Sequence, residues 1–376
     1  MAEKLSVDLA SVNGFSLDLR DLAANFSSNG SNQLSGLLLP HGASGLAATL
    51  NPALERLHGT LSSAQQRDID IVNNLLTGLS TVADTYRATD DANANSLAAQ
   101  TAALQGNAEI SGGSAPAGIT RYSGLQLPTL PTVEDERFVI RQVVTSAIDL
   151  ISAYDDPWSR VIGIKPAADY LTQLVSDWEA LRAIGKRIGF LGINDFVTAQ
   201  NLSGGTGWLR AVWTGSAAES FGSTAGGLAQ SVGARSNGLE AVAKIVEKGG
   251  ALLERLVYNQ AIGISGAITK PIEALGFTMP LGVWALRLKD PMDGSAKAQI
   301  QSAVDSLRQT AESTKTAITT TIDQISKALD YSPGQAAPTN GAADFEIPAK
   351  VVVDMGTLRY GFGNNVWFES IIGSIT

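Results

Sequence analysis

Cysteine is absent from the chain, which excludes disulfide frameworks, thiolate metal sites and a cysteine nucleophile. It leaves the compartment open, because a cysteine-free chain tolerates either redox setting. Histidine is nearly absent too, with His41 in a loop carrying Pro40 and Gly42 and His58 on a candidate helix. Neither is flanked by a nucleophile elbow or an acid–base partner motif, so both read as structural. Charged residues make up only 17%, and the formal net charge of −9 repels phosphate. With no Lys/Arg cluster longer than two or three residues, nucleic acid is not an expected partner.

Long apolar runs are missing as well. The most apolar stretch, Ala261 to Leu286, is interrupted by Lys270, Pro271, Glu273 and Pro280, and its uncharged part is too short to span a bilayer. The opening Met1-Ala-Glu-Lys-Leu-Ser-Val-Asp lacks the basic and apolar regions of a cleaved secretory signal, so the general secretory route is not expected. There is no metal-spaced His/Asp/Glu set and no Walker loop, and no strand precedes Gly204-Gly205-Thr206-Gly207, which therefore reads as a hinge or turn. The acidic pairs Asp90-Asp91 and Asp155-Asp156 and the run Glu134-Asp135-Glu136 read as helix-end charge rather than glycosidase carboxylates. The chain is expected to be non-enzymatic, with no catalytic, cofactor or metal site.

What is present is apolar periodicity. Apolar residues reach 44% of 376, enough for two packed modules at roughly 100 to 200 residues each. From Asn51, a candidate cap followed by Pro52, the stripe Leu54, Leu57, Leu61, Ala64, Ile71, Leu75, Leu79, Val82, Tyr86 predicts a long helix. The shorter segment Phe15 to Leu39 before it completes a helical hairpin, giving a first module over residues 1–112. Glycines from Gly106 to Gly118 with Pro116, Pro128 and Pro131 predict a flexible linker over 113–132.

A second module is expected over 133–332. Helical periodicity runs from Glu134 to Tyr154, breaks at Pro157 and restarts at Pro166, a residue suited to a first turn. Asn194-Asp195 reads as a further helix start. Beyond Trp213-Thr214-Gly215, Phe221, Leu228, Val232, Leu239, Val242, Val246, Leu253 and Leu256 mark a long returning helix. Ile300, Val304, Leu307, Ala311, Thr314, Ile318, Ile322, Ile325 and Leu329 form a nearly unbroken seam that predicts internal packing or self-association, with packing favoured. Residues 333–376 read as a Pro/Gly linker and a separate β-rich tail, with short strands around Val351–Val353, Leu358–Phe362 and Val366–Phe368. The fold class is therefore mainly α: an elongated antiparallel helical bundle with a short β-rich tail.

Two short motifs stand out. Tyr86 and Asp90, within Thr85 to Ala94, are four apart and share one helix face. Trp213 and Gly215 place a large ring and a permissive backbone at the sharp turn between two long helices. Taken alone, each has a plain packing reading.

Together, on these residues, the chain resembles the substrates of the type VII (ESX) secretion system of actinobacteria. The Tyr86-xxx-Asp90 decade closely resembles the Tyr-xxx-Asp/Glu export signal that follows the second helix of PE proteins. Trp213-Thr214-Gly215 looks like the turn of the Trp-x-Gly hairpin family and of PPE proteins. Their order in one chain resembles the fused, EspB-type substrates, over about residues 1–110 and 166–330. The resemblance implies PE/PPE-like hairpins in one bundle with the two motifs at one end, Tyr86 and Asp90 as export signal, and Trp213 and Gly215 completing a composite surface. It also implies the secretion ATPase, a helical chaperone and further copies of the chain as partners. The protein would be cytoplasmic before export, leave folded by the type VII route without a cleaved signal peptide, and act outside as a structural or virulence-type protein. Two other readings stand beside it: the helices as translocation module of a larger toxin, with activity or partner docking in the C-terminal segment; and the Ala261–Leu286 stretch as membrane-active. Against the latter, its prolines and few basic residues favour plain packing.

Overall fold

The computed structural model describes residues 7–105, 118–134, 139–339, 344–353, 357–362 and 365–371, and their side chains except at 94, 97–105 and 357–371. Helix α1, Leu9–Leu34, begins where the Asp8 carboxylate accepts hydrogen bonds from the Ala10 amide and the Ser11 hydroxyl, satisfying a donor that the first turn leaves unpaired. It buries Val12, Phe15, Leu19, Leu22 and Phe26. The spacing of three and four keeps those residues on one face. A 3-10 turn at Ala47–Leu50 leads into α2, Asn51–Gln105. Its 55 residues extend about 80 Å at helical rise. The two helices pack as the expected hairpin.

Residues 139–174 fold into short helices: α3, Ile140–Ile151, α4, Asp155–Ile162, and α5, Pro166–Tyr170, with Pro166 in the first turn as expected. A second hairpin follows, α6, Ala180–Arg210, and α7, Ser216–Thr269. These helices approach closely: a β-carbon on Gly185 would lie 2.7 Å from the Glu247 amide nitrogen. The Ala261–Leu286 stretch forms the end of α7, the strands β1, Pro271–Ala274, and β2, Phe277–Pro280, and the short helix α8, Leu281–Leu286. Helix α9, Gly294–Leu329, capped by Asp293, lays its seam from Ile300 to Leu329 along α7 and buries it inside the molecule. Strands β3, Thr357–Phe362, and β4, Asn365–Ile371, complete an antiparallel sheet in the order β1-β2-β3-β4. The described residues are mainly α-helical with a small β element.

The structure corrects several expectations. Residues 118–134 are not a flexible linker but an extended strap lying on α1 and α6. Asp18 accepts from Arg121 Nε at 2.6 Å and from the Tyr122 amide at 2.8 Å. The Asn29 side chain donates to the Pro128 carbonyl at 2.9 Å and accepts from the Leu130 amide at 3.2 Å. Asn201 grips both backbone groups of Gln126. Residues 113–117, the rest of the expected linker, lie outside the described residues.

The proposed boundary between modules disappears with the linker. One apolar cluster joins Leu54 and Leu57 of the first hairpin to Leu239 and Val257 of the second and to Ile300 and Ile325 of α9. The C-terminal segment is not separate either. Phe277 and Thr278 of β2 pair with Phe362 and Gly361 of β3, and residues 345–353 form a second strap along α7, where Asn259 donates to the Ala349 carbonyl and accepts from the Val351 amide, both at 2.9 Å. Asn194-Asp195 and Gly204–Gly207 start and break nothing, since both lie inside the continuous helix α6. Gly205 is needed there because a β-carbon would fall 2.1 Å from the Phe15 ring.

Candidate functional site

The turn between α6 and α7 is built from Trp213 and Gly215. The last turn of α6 closes with the Trp213 amide donating to the Leu209 carbonyl at 3.0 Å. Gly215 has φ 106° and ψ 175°, a region essentially closed to residues with a β-carbon, and its carbonyl accepts from Glu219 to begin α7. The incoming chain locks the turn from the other side, with the Asp8 amide donating to the Val212 carbonyl at 3.0 Å and Val7 bridging Trp213.

Trp213 is 2% exposed, and its ring begins a continuous aromatic chain. It lies 5.8 Å from Phe221, which lies 6.1 Å from Phe15; Phe15 is 6.2 Å from Trp208, and Trp208 is 5.9 Å from Tyr122 of the strap. The turn, α1 and the strap are thus packed by ring contacts of the favourable tilted kind. The Trp213 indole N–H is buried with no hydrogen-bond partner among the described residues, so this tryptophan serves by its ring.

Helix α2 reaches the same cluster with Leu75, Leu79 and Ala83. Ala83 is the last buried side chain described on α2; Tyr86 is half-buried, and Asp90 and the residues around it are exposed. Tyr86 therefore stands one turn, about 4.5 Å, beyond the cluster that holds Trp213. From Asp84 to Gln105 the helix continues for roughly 33 Å. Every side chain described there is exposed or half-buried. Of the four residues singled out from the sequence, two build the turn and two sit on this projecting arm. The arm is polar but partly self-satisfied: the hydroxyls of Thr85 and Thr89 each donate to the carbonyl four residues earlier, and Arg87 pairs with Asp84 at 3.1 Å. The arrangement presents an exposed helical segment from a rigid end of the bundle.

A polar layer was not anticipated. Between the apolar cluster at the Trp213 end and the larger one beyond lie Asp68 of α2, Asp195 of α6 and Arg235 of α7, all buried. Arg235 binds Asp195 through two nitrogens and Asp68 through the third. Burial would lower the Arg235 pKa, but the hydrogen bonds and charges of the two carboxylates outweigh it and hold the group above its ordinary value. Asn194 and Gln65 extend the layer by donating to the Phe26 carbonyl at 3.0 and 3.2 Å. The signal was available: each of the three charged residues falls on the buried stripe of its helix, as Asp68 does between Leu61 and Leu75.

His41 is exposed in the loop after α1 and His58 is half-buried on α2. Among the described residues no group of three His, Cys, Asp or Glu side chains is placed to hold a metal ion, and no helix is long and apolar enough to cross a membrane. A cleft of about 700 Å³ between α7 and α9 is lined by Leu256, Ile264, Ala303 and Leu307 together with Gln299 and Thr310. No family model matches the chain, and neither a curated protein nor a solved structure matches it.

Proposed function

We propose that the chain is a non-enzymatic substrate of a type VII (ESX) secretion system, exported folded and acting outside the cell as a structural or virulence-type protein. The observation that carries this reading is the placement of the two motifs. The Trp213–Gly215 turn packs into the cluster that ends at Ala83, and α2 leaves that cluster carrying Tyr86 half-buried and Asp90 exposed. A secretion ATPase that reads a helical signal needs it displayed from a fixed base, and the aromatic packing around Trp213 supplies one. Export in the folded state is favoured by an apolar core that, among the described residues, joins both hairpins and α9. A helical chaperone and further copies of the chain are the partners this reading implies, and it needs no cofactor.

The test is secretion in a type VII-competent actinobacterial host. Wild type is expected in the culture filtrate, while Tyr86→Ala and Asp90→Ala accumulate in the lysate with unchanged melting temperatures. Equal secretion of folded variants, or a wild type that never leaves the cell, would return both residues to a packing role and end the secretion reading.

A further inference from the structure

Helices α6 and α7 each turn one side toward the rest of the molecule. On α6, Asn194 donates to the Phe26 carbonyl of α1 and Asn201 to the Gln126 carbonyl of the first strap. On α7, Gly249 lies against Ile325 of α9, and Asn259 holds the second strap. The opposite side of the helix pair carries a groove of about 520 Å³, lined by Gly185, Gly189 and Gly192 of α6 and by Glu240, Ala243 and Glu247 of α7. Gly185 and Gly192 are needed for the close approach of the helices, since a β-carbon on them would lie 2.7 Å from the Glu247 amide nitrogen and 3.2 Å from the Ser236 carbonyl oxygen. Beside this low floor Ile193 is 46% exposed and Phe196 52%, and their spacing of three sets them on one side of α6. Large apolar side chains grouped beside a groove mark a contact surface, where scattered single ones would not.

Charge and shape indicate what covers it. The charged residues lining the groove are Lys186, Lys244, Glu240 and Glu247, two of each sign, so this face is neutral in a chain whose net charge is −9. Two copies of the chain, each carrying that excess, meet here without net repulsion. The face also fits itself. Phe196 stands seven residues from Gly189, almost two helical turns along the same side. A second copy laid antiparallel, with a two-fold axis beside Ile193, sets Phe196 of each copy over Gly189 of the other, because contacts across such an axis are reciprocal. From Gly185 to Gln200 the face is about 22 Å long and, being two helices wide, about 20 Å across. That is on the order of 450 Å² per copy, against roughly 800 Å² in a standard stable interface.

We infer that the outer face of α6 and α7 joins two copies of the chain in a weak, reversible two-fold dimer, with Phe196 of each copy seated on Gly189 of the other. The dimer is a property of the purified protein and does not rest on the secretion reading, so either stands if the other fails.

Analytical ultracentrifugation of the full chain tests it. Wild type is expected to be monomeric at about 1 μM and largely dimeric at about 500 μM, a range set by the small area of the face, with no larger species. Phe196→Glu is counted twice in a two-fold contact and is expected to weaken dimerisation about a hundredfold. Its melting temperature should not change at low concentration, because Phe196 is exposed in the single copy. The absence of cysteine allows a second readout. On mild oxidation Ile193→Cys should form a disulfide between copies much faster than Ser63→Cys, on an exposed position of α2, since the two-fold axis brings the Ile193 positions toward the separation of about 4 Å that joined β-carbons require. The inference is overturned if wild type stays monomeric at the higher concentration, if species grow beyond two copies, if Phe196→Glu dimerises as wild type does, or if the two thiols cross-link at equal rates.

Discussion

Arg235 of α7 holds Asp195 of α6 through two parallel hydrogen bonds, Nε to Oδ2 at 2.6 Å and Nη2 to Oδ1 at 2.8 Å. Its remaining nitrogen reaches Asp68 of α2 at 2.6 Å. One cation thus serves two carboxylates on two other helices, and the layer between the apolar clusters carries an excess negative charge. Burial, the largest influence, raises the Asp195 carboxyl from 3.8 to about 6; Arg235 opposes the rise and Asp68 adds to it.

A pH dependence follows, with a definite sign. The Asp195 pKa is higher in the folded protein than in the unfolded chain, so the folded state binds the proton more tightly and stability rises as pH falls through about 6 toward 3.8. Between about pH 7.5 and pH 5 the group should add on the order of 1 kcal/mol. Urea unfolding at the two pH values should show this increment in wild type and lose it in Asp195→Asn. An identical difference in both proteins would refute the assignment.

Removing the cation should cost far more than removing either anion. Arg235→Met leaves two carboxylates buried and uncompensated, a change expected to destabilise by about 3 to 5 kcal/mol. Asp68→Asn keeps a one-to-one pair and should cost much less. Combining Arg235→Met with Asp68→Asn and Asp195→Asn should restore part of the loss, which denaturant midpoints at neutral pH will read directly.

The first strap should be releasable without unfolding the helices. Asp18 receives both Arg121 and the Tyr122 amide, so Asp18→Asn removes the charge from two contacts at once. Tryptic cleavage after Arg121 is expected to accelerate roughly tenfold, because a hydrogen bond to a charged group contributes about 1.5 to 3 kcal/mol and local opening tracks its loss. Helical circular dichroism should stay unchanged. Protection equal to wild type would show that Asn29 and Asn201 suffice.

At the turn, Gly215→Ala must place a β-carbon at φ 106°, which should cost about 1 to 3 kcal/mol. Asp90→Ala, on an exposed stretch of α2, should change stability by no more than about 0.5 kcal/mol. Thermal melts of the two variants separate a substitution that damages the scaffold from one that leaves it intact.

The long helices were legible because their buried positions repeat at three and four: Leu54, Leu57, Leu61 on α2 and Ile300, Val304, Leu307 on α9. The turn was legible from Trp213 and Gly215, since a bulky ring beside a glycine between two such stripes has few other uses. The straps were not. Their composition is that of a linker, and what fixes them are side chains about a hundred residues away, such as Asn29 on Pro128 and Asn259 on Ala349. Asp195 read as a helix start because aspartate is a good cap; its partner Arg235 lies forty residues on. Gly204–Gly207 read as a break because the ring of Phe15, which needs Gly205, comes from another hairpin. Local pattern located the elements, and distant partners decided how they join.

The second strap gives the C-terminal segment a mechanical character of its own. Its attachments follow one another along α7: Val353 against Gly266, Val351 and Ala349 on Asn259, Pro348 on Arg255, and Phe345 in an apolar cluster with Ile245 and Leu252. A pull from the C-terminal end of the strap loads these attachments one at a time, as in a zipper. The strap should therefore peel at low force and lengthen before tension reaches α7, leaving the helical body behind it intact while the tail is drawn out.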